Sequence, residues 1–293
     1  MKLIVESIGV KIHCPIDGRF AFFNSPYPAH KENAGLDIYP NVDFGGLAPC
    51  PVDGEVMLVR RIKSPAGGGF EASDHDTVIL IENADNPETV TKLLHIDPII
   101  KVGEIVNTGD PIGFTLRSGY YGWGTSPHIH LELRSPLDPL RARGGYNLEL
   151  KDAAKSEVID EISGLVVHLQ SEFALIQLET KSLGLGCIVN GEPATLDGGI
   201  PYYGWLGSHI LNAPNSGVVE IVKKPIADVI QGFKKSCKAK CRDFRFSLNG
   251  KPLLGLSLTL WPNLKPLIKL IPLKRNDFNI EKGEWVEIKL KVV

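Results

Sequence analysis

Apolar and polar residues alternate with a period of two over much of this chain, the spacing of half-buried strands. Met1-Lys2-Leu3-Ile4-Val5-Glu6-Ser7-Ile8 predicts an opening strand, residues 47–62 a strand entered through an Asp53-Gly54 turn, and Thr77 to Glu82 a largely apolar, buried strand. Residues 91–97 predict a short strand carrying His95, and residues 102–113 two short strands around an Asn-Thr-Gly-Asp turn. Further on, residues 164–178 read as a hairpin around Ser171-Glu172, and the tail from Val286 to Val292 as a half-buried strand. Asn190-Gly191 and Asn249-Gly250 are the strongest hairpin signals, because both residues tolerate the positive φ that a tight turn demands. The pattern changes at Pro225 to Cys241, where Ile226, Val229, Ile230, Phe233 and Cys237 recur at helical spacing and the lysines mostly lie off that stripe. This stretch predicts the one helix. Leu150 to Ser163 is polar with some helical character.

Composition supports the β reading. Thirty glycines and 21 prolines in 293 residues argue for many turns and few long helices. The length suits one large domain or two moderate ones, each able to bury a core without disulfides. With 32 basic and 34 acidic residues, nothing in the charge balance calls for nucleic acid or an anionic membrane. No apolar run is long enough to span a bilayer. Glu6 interrupts what a signal peptide would need to be continuously apolar, so a cytoplasmic location is expected. The five cysteines (Cys14, Cys50, Cys187, Cys237 and Cys241) cannot all pair within one chain, which suits free thiols in a reducing compartment. Cys237 and Cys241, one turn apart on the expected helix, are read as apolar packing rather than a metal clasp.

Candidate chemistry concentrates in Gly124-Thr-Ser-Pro-His-Ile-His-Leu-Glu-Leu133. On a strand His128, His130 and Glu132 point one way, while Ile129, Leu131 and Leu133 point to the core. Two imidazoles one strand period apart can converge on one small target, and neutral imidazole is the commonest protein ligand for zinc. Upstream, His30 and Asp37 stand seven positions apart, so a regular strand would aim them at opposite faces and the Asn33 to Gly35 turn has to bring them together. Asp74-His75-Asp76 is read as a solvated polar loop. Ser118 to Trp123, rich in glycine and aromatics, either lines a peptide or sugar groove or covers a hydrophobic edge. The 102–113 pattern also occurs in lipoyl- and biotin-carrier modules, but their attachment lysine is missing from the Asn107 to Gly109 turn. His168 and His209 have no evident partners.

Taken in order, His30…Asp37, Pro51-Val-Asp-Gly-Glu-Val56, His95, Val102-Gly-Glu104 with Gly109-Asp-Pro-Ile-Gly113, and Pro127-His-Ile-His-Leu-Glu132 resemble the lysostaphin-type (LytM-like) zinc metallopeptidases over residues 30–139. That resemblance implies a small antiparallel β fold binding one Zn2+ per chain through His30, Asp37 and His130, with His95 and His128 as the catalytic histidines. Glu132 would be a supporting acceptor that fixes an imidazole tautomer. The substrate implied is a short cross-bridge-like or small-residue peptide, typically of a bacterial cell wall, which would place the protein outside the cell. His30 and Asp37 are farther apart here than in the family's His-x-Gly-x-Asp form.

The expected organisation is mainly β: an N-terminal strand and turn segment (1–29), a metallopeptidase domain (30–145) and a β-rich accessory domain with the helix (146–293). A Tyr-Tyr-Gly-Trp at 202–205 repeats residues 120–123, and Ala213 to Val222 echoes Ala48 to Val59; a degenerate second copy and coincidence both account for this. Against the peptidase stands a non-catalytic peptide- or glycan-binding scaffold on the same fold. Oligomeric state is not legible.

Overall fold

Alternating β-branched and polar residues pair here with their sequence neighbours, so the fold is built largely from antiparallel hairpins, with one four-residue helix among the described residues. The computed structural model describes residues 1–152 and 156–292. They divide into two units, residues 1–20 with 27–151, and residues 21–26 with 152–292.

In the first unit, β1 (Lys2–Ser7) and β2 (Val10–Cys14) form a hairpin whose Ile8-Gly9 turn takes positive φ at both positions, 48° and 82°. There follow β3 (Arg19–Ala21), α1 (Pro28–Lys31), β4 (Leu36–Tyr39), β5 (Leu47–Pro49), β6 (Gly54–Lys63), β7 (His75–Asn83), β8 (Asn86–Leu94), β9 (Ile96–Pro98), β10 (Ile105–Val106), β11 (Pro111–Thr115) and β12 (Ile129–Arg134). The main sheet has the order β10-β6-β7-β8-β12-β4-β3, and β5-β11-β9 form a smaller one. Strand β12 therefore lies between β8 and β4. Its Ile129, Leu131 and Leu133 are fully buried with Ile79, Ile81 and Leu93, each contributing roughly 1.5–3 kcal/mol of burial. Residues 146–151 belong to this unit: Tyr146 donates to the Leu133 carbonyl, Leu148 to that of Asn33 and Lys151 to that of Ile4.

The second unit is a sheet of twelve described strands around its own apolar core. The Asn190-Gly191 and Asn249-Gly250 turns close hairpins with positive φ at all four residues, and Ile162–Leu169 pairs with Ala174–Gln177 around Ser171-Glu172. The expected helix at 225–241 is instead a hairpin, Lys224–Phe233 against Ser236–Cys241 across a Lys234-Lys235 turn. A β-bulge between Val229 and Gln231 moves the apolar face by one position. Apolar residues at 226, 229, 230 and 233 thus imitate an i, i+3, i+4, i+7 stripe, although Ile230 is exposed. On a strand, four positions separate Cys237 from Cys241 by about 13 Å, too far to share one ion. Of the helical character read over 150–163, residues 153–155 lie outside the described residues; Leu150 bridges to Val5, and residues 156–161 are not helical.

His209 does have a partner. Its Nε2 lies 3.1 Å from Asp197 Oδ2, which also accepts the backbone N–H groups of Phe22 (2.6 Å) and Phe23 (3.3 Å). His168 lies 3.2 Å from the side-chain carbonyl of Gln170 and packs at a tilt against Phe173. All five cysteines are free and four are buried. No helix among the described residues is long and apolar enough to cross a membrane.

Candidate active site

Register brings two of the sequence-derived candidates together. On the antiparallel pair β4–β12, His130 stands directly opposite Asp37, so their side chains leave the sheet on the same face. The His130 Nδ1–Asp37 Oδ1 separation is 3.0 Å. His30 reaches the same point by a different route. Pro28, with its φ already helical, opens the single turn α1. Asn33 then takes a positive φ of 54°, and the Ala34 and Gly35 N–H groups both donate to the Ala29 carbonyl, folding the chain back into β4. A Cβ on Gly35 would sit 3.2 Å from Ala29 Cβ, His130 Cε1 and the His30 nitrogen, so this close approach favours glycine. The turn absorbs the odd spacing that would otherwise separate His30 from Asp37.

The resulting triad is buried, with His30 1%, Asp37 2% and His130 6% exposed. His30 Nε2 lies 3.1 Å from His130 Nδ1 and 3.3 Å from Asp37 Oδ1. An ion held by about 2.0 Å bonds in tetrahedral geometry has its donor atoms roughly 3.3 Å apart, so two nitrogens and one carboxylate oxygen at these distances fit a zinc. Burial opposes the Asp37 charge, but His30, His128 and His130 outweigh it and hold the carboxyl well below its usual range.

The polar face of β12 is buried as well. His130 Nε2 lies 3.2 Å from Glu132 Oε1. Glu132 in turn contacts Lys92 Nζ at 2.5 Å and an Arg134 guanidinium nitrogen at 3.2 Å, and Arg134 donates to the Asp138 carbonyl. Burial alone would raise Glu132, but His130 and Lys92 bring its carboxyl to about 2. Flanked by two carboxylates, His130 is raised to about 9 even though burial acts the other way. With a cation on Nδ1, the Glu132 contact fixes the tautomer that keeps the proton on Nε2.

His128 and His95 stand beside the triad. His128 donates from Nδ1 to the Ser126 carbonyl at 3.0 Å, which leaves Nε2 with its lone pair, 3.7 Å from Asp37 Oδ1. Burial lowers its pKa to about 4, keeping the ring neutral. His95, expected on a strand, lies just beyond β8 in the left-handed region with φ 70°. Asp76 holds it there. Asp76 Oδ1 accepts the backbone N–H groups of His95 (2.9 Å) and Thr77 (2.7 Å), while Oδ2 accepts His95 Nδ1 and the Ser118 hydroxyl, both at 2.6 Å. Against burial, which raises it, His95 and these donors keep the Asp76 carboxyl below its usual value. The His95 Nε2 lone pair is thereby freed, and the His95 and His128 rings meet edge to face at 5.2 Å.

Asp76 is the functional candidate that the sequence reading passed over. Asp74 and His75 do belong to a solvated cluster with Arg61, Asp74 being 87% exposed, but Asp76 is fully buried. The available signal is phase: Asp76 lies inside strand β7, two positions before Val78 and four before Leu80, so it shares their face of the sheet, the one that carries His130 and Glu132. In sequence Tyr121 stands out only as part of an aromatic segment. It is buried, donates its hydroxyl to the His128 carbonyl at 3.1 Å, and packs its ring against both His95 and His128.

A family model described as the N-terminal domain of a domain of unknown function (DUF8155) matches residues 11–150. No curated protein matches the chain. Among solved structures, the catalytic domain of the prophage-encoded M23 protein EnpA from Enterococcus faecalis, in a mutant form, is similar: 23% identity over 46% of this chain and 91% of that one, TM-score 0.29. The NMR solution structure of lysostaphin is 13% identical over 93% of this chain and 95% of that one, TM-score 0.27. The antimicrobial peptidase lysostaphin from Staphylococcus simulans is 16% identical over the same shares, 93% and 95%, with TM-score 0.25.

Proposed function

We propose that the first unit is a zinc-dependent endopeptidase acting on short, small-residue peptides, cell-wall cross-bridges among them. The observation that carries this reading is the meeting of His30 Nε2, Asp37 Oδ1 and His130 Nδ1 within a buried triangle, with two further imidazoles alongside. Bound by those three groups, zinc would supply Lewis acidity, acidifying water towards a pKa of about 7 and polarising a peptide carbonyl. The remaining work falls to the protein. His95 Nε2 takes the proton from the attacking water and returns it to the leaving amine, and Asp76 stabilises the imidazolium formed in between. His128, kept neutral by burial, orients the water through its Nε2 lone pair. Tyr121 walls the two rings and limits bulk water.

The test is metal content of the protein purified without added metal, alongside hydrolysis of a glycine-rich peptide panel. Near one zinc per chain, lost in His130→Ala, with hydrolysis abolished by a chelator and by His128→Ala, is the expected result. A folded wild type that takes up no zinc and cleaves nothing would leave the peptide-binding scaffold as the better account.

A further inference from the structure

A cavity of about 430 Å³ opens in the first unit, with Phe44, Glu71, Asp97, Phe114 and Arg117 among its lining residues. Its volume falls in the range of small-ligand sites. The Arg117 guanidinium lies against two rings, 4.3 Å from the Phe70 centroid and 5.1 Å from that of Phe44. Such stacking satisfies the faces of the guanidinium and leaves its N–H edge in the plane of the fork. Among the described residues, the buried Arg117 Nε has no hydrogen-bond partner. A buried donor without an acceptor is costly, and a planar fork is completed best by a carboxylate, which accepts two parallel N–H bonds.

Position ties this cavity to the chemistry. Arg117 is flanked by Leu116, whose N–H donates to the His95 carbonyl, and by Ser118, whose hydroxyl donates to Asp76. Phe44 packs edge-on against Tyr121 at 5.4 Å, and Tyr121 against His95 at 4.9 Å. An occupant of the cavity is therefore linked to His95 through two packed rings, Phe44 and Tyr121. Glu71 and Asp97 are exposed on the lining, where solvent screens their repulsion of a single carboxylate at Arg117, whereas a polyanion would meet more of it.

We propose that this cavity is a substrate subsite in which Arg117, held by Phe44 and Phe70, binds a carboxylate of the peptide. The inference deepens the peptidase reading and rests on it for the word substrate; the carboxylate belongs either to the peptide C-terminus or to an acidic side chain. The test is binding, followed by amide chemical shifts of Gly45, Ser73 and Leu116 in the full-length chain, with three probes: tetraglycine, tetraglycine amide, and Gly-Gly-Gly-Glu amide. Hydrolysis is measured separately, so a binding preference without cleavage overturns the peptidase and leaves the subsite standing, and cleavage without the preference does the reverse. Tetraglycine binding about tenfold or more tighter than its amide assigns the terminal carboxylate. The same preference for the glutamate peptide assigns the side chain. Arg117→Gln should erase the preference, and Arg117→Lys, which keeps the charge but loses the fork, should restore part of it. Equal binding of all three probes, or a preference that survives Arg117→Gln in a variant with wild-type amide dispersion, overturns the proposal.

Discussion

Asp76 is where stability and chemistry can be separated by a single atom. Its Oδ1 accepts two backbone N–H groups, those of Thr77 and His95, whereas Oδ2 accepts the His95 ring and the Ser118 hydroxyl. In Asp76→Ala all four donors lose their acceptor. Ser118 and the imidazole can turn away, but the two backbone groups cannot. At about 1–3 kcal/mol for each stranded donor, the loss is about 2–6 kcal/mol. That is a large share of the 5–15 kcal/mol typical of a whole domain, and it also releases His95 from a left-handed conformation that side chains rarely adopt. Asp76→Asn behaves differently. Its carbonyl oxygen can replace Oδ1 and keep both backbone bonds, while its NH2 faces His95 Nδ1. That nitrogen must then act as acceptor, which moves the ring proton to Nε2 and removes the lone pair required of a base. Asp76→Asn should therefore stay within about 1.5 kcal/mol of wild type in urea unfolding while losing roughly 10²–10⁴ in kcat/KM. Zinc content should be unchanged, because Asp76 touches none of the three candidate ligands. Ring 15N shifts of His95 report the tautomer directly. Hydrolysis by Asp76→Asn within about threefold of wild type, with the tautomer inverted, would refute the assignment of His95 as base.

Other outcomes follow from the same geometry. Gly35→Ala places a Cβ at 3.2 Å from His130 Cε1 and the His30 nitrogen, and should weaken zinc affinity in a competition titration with little change in the urea midpoint; unchanged affinity would mean that the turn yields freely. Because the folded Asp76 carboxyl lies below its ordinary value, its contribution to stability is complete above the unfolded value of about 3.9 and is lost as pH falls through the folded one. Acid unfolding of Asp76→Asn should accordingly be shallower than wild type below about pH 4, and parallel curves would show that other carboxylates set the acid limit. Burial raises the thiols of Cys50, Cys237 and Cys241 to about 12 and those of Cys14 and Cys187 further still, so a disulfide reagent at pH 8 should modify the native protein slowly and all five thiols only after unfolding; prompt reaction would show local opening.

What could be read beforehand was whatever depends on local periodicity. The burial of Ile129, Leu131 and Leu133, the two Asn-Gly hairpins, and the shared face of His128, His130 and Glu132 all follow from a period of two and from turn chemistry. Two readings fail for different physical reasons. The bulge at Val229 to Gln231 makes a hairpin look helical, and the polarity of Asp74 and His75 hides that Asp76 already lies in β7, on the face it shares with Val78 and Leu80. Partners distant in sequence were not legible at all: Asp76 meets a residue 19 positions away and Asp197 meets the Phe22 nitrogen 175 positions away, contacts that exist only once strand order is set.

Strand β12 carries the tension that such a site implies. One face follows the rule for a core strand. The opposite face buries His130, Glu132 and Arg134, together with Lys92 from β8. Charges removed from water recover their desolvation cost only through tight mutual contacts, and replacing such a network by apolar side chains is often neutral or stabilising. The 2.5 Å and 3.2 Å contacts to Glu132 recover part of that cost here, and they also lock the carboxylate against His130 Nε2. A network placed there for stability alone would have no need to end on an imidazole whose other nitrogen faces Asp37. Its direction, from Arg134 and Lys92 through Glu132 to His130, is the one that would orient His130 if it holds the proposed metal.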